Sequence, residues 1–289
     1  MLVDKPAAMT SHDVVQRVRR VLGTRGAGHT GTLDPFATGL LVVLLGRATR
    51  LARFVEAQSK TYLATARLGI RTDSDDLTGR VLETSDSAAR LSGEQVAASL
   101  ADFLGPQLQR PPQYSAKHVG GERSYAKARR GEPVELPAAS VTVHRLEMLE
   151  FQAPLVTFRA EVSAGTYIRA IARDLGERLG VGAHLTHLRR EAIGSLRVED
   201  SVPLDQLSPA AVVSARSVLG DLPTVELDEA AQRAVVHGRA VEDSGVGALR
   251  ARGRRVSGEV VGLLRDGELV AIAKALDGWL QPTVVLATP

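Results

Sequence analysis

The sequence predicts an α+β fold built from two unequal domains. The chain has 289 residues, more than one typical domain, and 44% of them are apolar, which is enough to form a substantial core. Helical and strand patterns are mixed without the regular strand and helix alternation of a doubly wound sheet. We therefore expect a larger domain over residues 1–221 and a small β-rich domain over residues 222–289.

The individual elements follow from the spacing of apolar residues. Valines at helical spacing predict an amphipathic helix over residues 12–23, with Ser11 as its N-cap. In the tail, Asp266 and Gly267 join two short apolar strands as a hairpin turn. Alternating runs predict three further strands, and amphipathic runs predict two further helices: strands at 61–69, 140–151 and 154–168, and helices at 92–105 and 167–180.

Composition excludes several classes of protein. The sequence contains no cysteine, which excludes a disulfide scaffold and any thiolate zinc site and is typical of a reducing compartment. The first residues lack the pattern of a signal peptide, and no apolar run approaches the length of a membrane span. We expect a cytoplasmic protein.

Charge is distributed unevenly along the chain, although the net charge is only +3. Basic residues dominate residues 1–60 and residues 107–131, and the second segment carries Tyr114 and Tyr125 among its cations. Acidic residues dominate residues 73–102. This pattern is typical of a protein that binds a polyanion on one side. Ordinary solvated faces explain it equally well.

The densest motif is GAGHTGTLDPFATGLLVVLLG at residues 26–46. It describes a polar loop that leads into a buried strand. Neither the phosphate-binding P-loop pattern nor the dinucleotide-binding glycine pattern is present in it, so nucleotide-binding functions of these types are excluded. Spacing alone favours a structural turn at Asp34 and Pro35, but it does not exclude a catalytic carboxylate at Asp34.

Three other polar groups resemble sites without meeting their requirements. Neighbours in the run Thr10 to Asp13 cannot converge as a catalytic triad, so helix capping explains them better. The aspartates within residues 73–76 lack the spacing of a calcium loop, which favours a solvated turn. His184 and His187 could share a helix face, but no third ligand accompanies them. The sequence therefore predicts no metal site.

The run GHTGTLDPFATGLL, residues 28–41, resembles the catalytic signature of the TruB family of tRNA pseudouridine synthases. Ala8 stands where the family usually has glycine, and few residues precede Asp4. The C-terminal tail resembles a PUA domain. Other segments resemble the family in the same order along the chain: residues 4–15, 60–79, 111–131 and 163–190.

The resemblance implies a fold, a reaction and a pair of catalytic residues. The fold is a mixed, largely antiparallel sheet flanked by helices, followed by a PUA-like RNA-binding domain. The reaction converts uridine 55 in the T loop of tRNA to pseudouridine, with no cofactor. Asp34 matches the catalytic carboxylate, and Arg169 matches the cation that keeps the pKa of that carboxylate low enough for it to be ionised.

The resemblance also implies how RNA is held. Tyr62, Tyr167 and Leu188 match residues that surround the flipped uracil, and His29 matches a residue that helps to open the T loop. The C-terminal domain corresponds to a module that touches the acceptor stem, and we expect a monomer. Basic residues of the 107–131 segment correspond to an arm that clamps the T stem: Lys117, Arg123, Lys127, Arg129 and Arg130.

Two other functions compete with this one. A catalytically silent tRNA-binding protein or tRNA folding chaperone would use the same scaffold, but the pair Asp34 and Arg169 argues against silence. A metal-dependent RNA hydrolase would need a set of metal ligands that the sequence does not offer.

Overall fold

The structure is a computed structural model. It describes residues 1–114, 118–119, 122–123, 130, 136–243 and 256–287, with residues 118–119 and 122–123 described by their backbone alone.

The described residues form strands β1 to β19 and helices α1 to α5. The strands are β1 (Leu2–Lys5), β2 (Ala27–His29), β3 (Thr38–Leu45), β4 (Lys60–Leu68), β5 (Ile70–Thr72), β6 (Val81–Thr84), β7 (Gly105–Gln109), β8 (His118–Val119), β9 (Glu122–Arg123), β10 (Ala139–Gln152), β11 (Leu155–Val162), β12 (Ala183–Ile193), β13 (Leu196–Arg197), β14 (Val202–Pro203), β15 (Thr224–Glu226), β16 (Val241–Glu242), β17 (Val260–Arg265), β18 (Glu268–Leu276) and β19 (Trp279–Val285). The helices are α1 (Ser11–Leu22), α2 (Ala52–Glu56), α3 (Gly93–Ala101), α4 (Ile168–Arg178) and α5 (Glu229–Val236).

A ten-stranded sheet forms the centre of the larger part of the chain. Its strands lie in the order β14-β1-β3-β12-β4-β11-β10-β7, with β2 paired to β3 and β13 paired to β12. Strand β1 runs parallel to β14, and β3 runs parallel to β12, while the other pairs described in this sheet are antiparallel. The expected mixed, largely antiparallel sheet is confirmed.

Helix α1 begins one residue earlier than predicted. Its N-cap is Thr10, whose side chain accepts from the amide of Asp13, while the Asp13 carboxylate accepts from the amide of Thr10. Capping, and not a triad, is confirmed for this run. The prediction of Ser11 as the cap is wrong, because the Ser11 side chain is buried and bonds to the backbone of Leu33 instead.

Two predicted elements differ in extent or type. The strand expected over residues 154–168 ends at Val162, since a turn through Gly165, at φ +84°, precedes helix α4. His184 and His187 lie on strand β12 and not on a helix, with His184 buried against the carbonyl of Ile70 and His187 exposed. The two histidines therefore do not share one face, and strand pairing is irregular between Leu185 and His187.

The C-terminal strands form a second sheet in the order β15-β17-β18-β19-β16. Asp266 and Gly267 have φ values of +52° and +78°, which confirms the predicted hairpin turn between β17 and β18. Leu269 and Ile272 from this sheet share an apolar cluster with Leu44 and other residues of the larger sheet. The second sheet therefore packs directly on the first, and the boundary between residues 221 and 222 stays a prediction.

Candidate active site

The loop between β2 and β3 carries Asp34, and it is anchored on both sides of that residue. The hydroxyl of Ser11 accepts from the amide of Leu33 at 2.9 Å. The fully buried Lys5 donates to the carbonyl of Pro35 at 3.3 Å. Burial lowers the pKa of Lys5 to about 8. These contacts fix the backbone on which the Asp34 carboxylate stands.

A third anchor comes from strand β12. The buried Arg190 donates to the carbonyls of Leu40, at 2.7 Å, and Gly31, at 3.1 Å. Gly39 has a φ of +102°, and a Cβ atom there would lie 2.3 Å from the Arg190 carbonyl oxygen. The signature thus needs glycine at this position, because β3 and β12 approach too closely for a side chain.

Asp34 and Arg169 form a direct ion pair. Arg169 lies in the first turn of α4, and its Nη2 donates to Oδ1 of Asp34 at 3.0 Å. Its Nε lies 2.8 Å from Oδ2, at an angle too bent for a hydrogen bond. The Arg169 side chain is 4% exposed and the Asp34 side chain 29% exposed. The carboxylate is therefore the member of the pair that a substrate could reach.

The remaining contacts of Arg169 hold it in place. Its Nη1 donates to the carbonyl of Ser74 at 2.8 Å and lies 3.6 Å from Oδ2 of Asp76. Its Nη2 also donates to the carbonyl of Tyr114 at 2.8 Å. The guanidinium thus joins three chain segments that are far apart in sequence.

The acidic loop that follows β5 is buried, so the prediction of a solvated turn is wrong. Asp75 and Asp76 are 7% and 5% exposed. Arg173, one turn after Arg169 on α4, lies 3.2 Å from Asp75. Two cations four residues apart on a helix therefore offset two buried carboxylates. The sequence did contain a signal for this pairing, because two arginines stand four residues apart, at positions 169 and 173, on a predicted helix.

Burial dominates the electrostatics of Asp34. Although 29% of its side chain stays accessible, displacement of water raises the pKa of Asp34, against the opposing effect of the Arg169 guanidinium. The Asp76 carboxylate raises it further. Arg169 therefore lowers the pKa, in the expected direction, but desolvation outweighs the ion pair and the net shift is upward.

The raised pKa of Asp75 predicts that the stability of the folded protein depends on pH. Burial raises its pKa from 3.8 to about 6, so the folded protein favours the protonated form and loses stability as pH rises through this range. We expect Asp75→Asn to remove that loss. The unfolding free energy of the variant relative to wild type should increase by up to about 3 kcal/mol between pH 4 and pH 7. Urea unfolding at several pH values measures this, and a pH-independent difference would contradict it.

Two of the predicted uracil-binding residues lie in the core beside the Asp34 loop. Tyr62 on β4 and Leu188 on β12 are buried, and they share an apolar cluster with Leu33 and Ile168. Antiparallel pairing of β4 and β12 holds these two strands side by side. Core packing explains this burial as well as base binding does, so their roles stay predictions.

The other two predicted base-contacting residues are close in sequence to the members of the ion pair. Tyr167 is half-buried and is the N-cap of α4, two residues before Arg169. His29 is half-buried at the end of β2, five residues before Asp34. The sequence order thus places both within a few residues of the ion pair.

The basic arm is described only in part. Lys117, Lys127 and Arg129 lie outside the described residues. The backbone of Arg123 belongs to β9, which pairs with β8, and Arg130 is exposed in a turn. Contact of these five residues with RNA stays a prediction.

Two other features are absent from the part of the chain that the structure describes. It contains no group of three or more histidine, aspartate or glutamate side chains placed to hold a metal ion. None of its helices has both the length and the apolar character needed to cross a membrane.

Comparison with known proteins gives consistent matches. Residues 19–168 match the family model of the TruB family pseudouridylate synthase N-terminal domain, and residues 169–229 match that of the tRNA pseudouridylate synthase B C-terminal domain. The tRNA pseudouridine synthase B of Thermobifida fusca (strain YX) is 44% identical, over 99% of this chain and 98% of the relative. That of Arthrobacter sp. (strain FB24) is 41% identical, over 99% and 96%.

Solved structures extend the likeness to the fold. A chain in the crystal structure of a Cbf5-Nop10-Gar1 complex matches with a TM-score of 0.76 and 28% identity, over 99% of this chain and 84% of that one. A chain in an H/ACA RNP bound to a substrate RNA containing 2′-deoxyuridine matches with a TM-score of 0.74 and 25% identity, over the same shares. Sequence and fold thus agree, and the chain belongs to the TruB family of pseudouridine synthases.

Proposed function

We propose that this protein isomerises uridine 55 in the T loop of tRNA to pseudouridine, with Asp34 as the catalytic carboxylate. The observation that carries the proposal is the ion pair between Asp34 and the buried Arg169, in a loop that bears the family signature. Relatives named tRNA pseudouridine synthase B, at 41–44% identity over nearly the whole chain, support the substrate.

The reaction breaks the N1–C1′ bond of the nucleotide and joins C1′ to C5 of the same uracil. N1 gains a proton and C5 loses one to water, so the product has the atoms of the substrate. Asp34 acts on the ribose, at C1′ or at the hydrogen on C2′, and either role requires the ionised carboxylate. Arg169 orients that carboxylate and stabilises its charge in a site with little water.

The target base must leave the RNA stack before this chemistry can occur. Tyr62 stacks on the flipped uracil, while Tyr167 and Leu188 border it. His29 occupies space near the opened T loop. Because these residues lie on β2, β4, β12 and the start of α4, rigid elements surround the base on several sides.

RNA contacts extend beyond the base. The arm within residues 107–131 grips the T stem, and the C-terminal domain touches the acceptor stem. The protein acts as a monomer in the cytoplasm, where tRNA is processed. The RNA-bound complex that contains a structural relative supports an RNA partner of this kind.

Removal of the cations of the arm should weaken RNA binding and reduce its dependence on salt. If Lys117, Arg123, Lys127 and Arg129 each contact a phosphate, their replacement with alanine lowers the log–log salt slope by about 0.7 to 0.9 per contact. Binding titrations at several salt concentrations measure this slope. Alanine at Arg71 and Arg145, which pair with Glu83 and Glu147, is the control. An unchanged slope in the fourfold variant would place the arm away from RNA.

The proposal is tested by tritium release from tRNA labelled at C5 of uridine, since only attachment at C5 displaces that hydrogen. We expect release from a transcript with uridine 55 and none from a transcript with cytidine 55. A chelator should not stop the release, and a metal-dependent RNA hydrolase would release no tritium with or without a chelator. A T-arm stem-loop should react with lower kcat/KM than full tRNA, because it lacks the acceptor stem.

A further inference from the structure

Polar contacts tie the start of the basic arm to helix α4, and those made by Gln109 have no part in the proposed chemistry. Strand β7 ends at Gln109, which is 3% exposed. Its amide nitrogen donates to the carbonyl of Tyr167 at 3.1 Å, and its amide oxygen accepts from the N–H of Tyr167 at 2.8 Å. One buried side chain therefore bonds both polar backbone groups of one residue of the predicted base pocket.

These two bonds act at the point where α4 begins. Tyr167 is the N-cap of the helix, and its own side chain makes no capping bond. Its carbonyl also accepts from the amides of Ala170 and Ile171, which starts the helical bonding pattern. A rotation of the Tyr167 peptide groups would thus move the first turn of α4, which carries Arg169.

Two arginines extend the connection along the same segments. Arg169 donates to the carbonyl of Tyr114, and Arg173 donates to the carbonyl of Arg110 at 2.9 Å. Arg173 is itself held by Asp75 at 3.2 Å. Residues 109–114 and residues 167–173 are therefore joined at three points.

We propose that Gln109 is a positioning residue for the reaction: it fixes Tyr167 and the first turn of α4 so that Arg169 meets Asp34 in the reactive geometry. Arg173, one turn further along the helix, holds α4 in the same position through its contacts with Arg110 and Asp75. The inference rests on the proposed function. A shift of about 1 Å in such a site lowers rates by as much as about a hundredfold, which is the scale of effect that loss of these bonds predicts.

Single-turnover tritium release with enzyme in excess over tRNA tests this role. We expect Gln109→Leu to lower the rate constant at least about tenfold and to leave the tRNA dissociation constant within about threefold. Gln58→Leu is the matched control, because Gln58 is a half-buried glutamine, lies outside the arm and the predicted base pocket, and donates to the carbonyl of Val218 at 3.0 Å. The control should stay within about twofold of wild type.

Gln109→Glu supplies a second measurement that does not depend on tolerance of leucine. A protonated carboxyl can donate to the Tyr167 carbonyl and accept from its N–H, as the amide does, whereas a carboxylate cannot donate. Because position 109 is 3% exposed, burial raises the pKa of the introduced carboxyl, and the rate of this variant relative to wild type should therefore rise as pH falls from 8.5 to 6. The same ratio for Gln58→Glu should stay flat.

Three results would overturn the inference. They are a Gln109→Leu rate constant within about twofold of wild type, a pH-independent rate ratio for Gln109→Glu, and a loss of reaction amplitude with an unchanged rate constant, which assigns Gln109 to folding alone. Failure of the proposed function is distinct, because wild-type protein would then release no tritium. Arg173→Gln should also lower the rate constant. Arg178→Gln, at the end of the same helix, should leave the rate constant unchanged.

Discussion

Asp34→Asn is expected to reduce turnover below detection while tRNA affinity changes less than about tenfold, or about 1.4 kcal/mol. Asparagine keeps the size of the side chain and can still contact Arg169. The loop should keep its fold, because its contacts with Ser11, Lys5 and Arg190 do not involve the side chain of residue 34. It removes the negative charge that the ribose chemistry requires. Single-turnover tritium release and a tRNA binding titration measure the two effects separately.

The chain offers a matched control for this substitution. Asp4 also faces an arginine with both carboxylate oxygens, since Arg189 donates to them at 3.1 and 2.8 Å. Asp4→Asn therefore breaks an aspartate–arginine pair outside the proposed machinery, and we expect its activity to stay within about tenfold of wild type. Activity of Asp34→Asn in that same range would refute the catalytic assignment.

Arg169→Lys is expected to lower turnover almost as much as Asp34→Asn. The buried guanidinium pairs with the carboxylates of Asp34 and Asp76, and it donates hydrogen bonds to the carbonyls of Ser74 and Tyr114. An ammonium group keeps the charge but lacks the planar fork, so it cannot satisfy all of these partners at once. The buried carbonyls and the Asp76 carboxylate would lose contacts, and we expect the unfolding free energy to fall by about 2 to 4 kcal/mol.

Thermal unfolding separates the two effects of Arg169→Lys. Assays well below the unfolding midpoint report loss of chemistry in folded protein. Arg159→Lys is the control, because Arg159 pairs with Glu191 through two contacts of 2.7 and 3.1 Å and is 42% exposed. A mild loss of turnover in Arg169→Lys, similar to that of the control, would show that the fork is not required.

Local patterns predicted the elements whose formation depends on their own residues. The valines of α1, the alternating residues of β4 and the Asp266–Gly267 turn all formed as predicted, since helix amphipathicity, strand alternation and turn chemistry are local properties. The family resemblance, and not the spacing, predicted the pairing of Asp34 with Arg169, which are 135 residues apart.

Features that depend on distant partners were not predictable in this way. Asp75 and Asp76 are acidic loop residues by sequence, and they are buried because α4 supplies Arg169 and Arg173 from elsewhere in the chain. Ser11 fits a helix cap by type, yet the position of Leu33 decides its partner. A single glutamine such as Gln109 leaves no periodic signal at all, so its bonds to Tyr167 could be found only in three dimensions.

The protein is proposed to rearrange a uridine within tRNA without adding or removing atoms. Digestion of treated tRNA to nucleosides, followed by their separation and quantification, tests this rearrangement most directly. We predict one pseudouridine per tRNA, gained at the expense of one uridine at position 55, with no change in tRNA mass. Loss of uridine without pseudouridine, or a cleaved or abasic RNA, would contradict the claim.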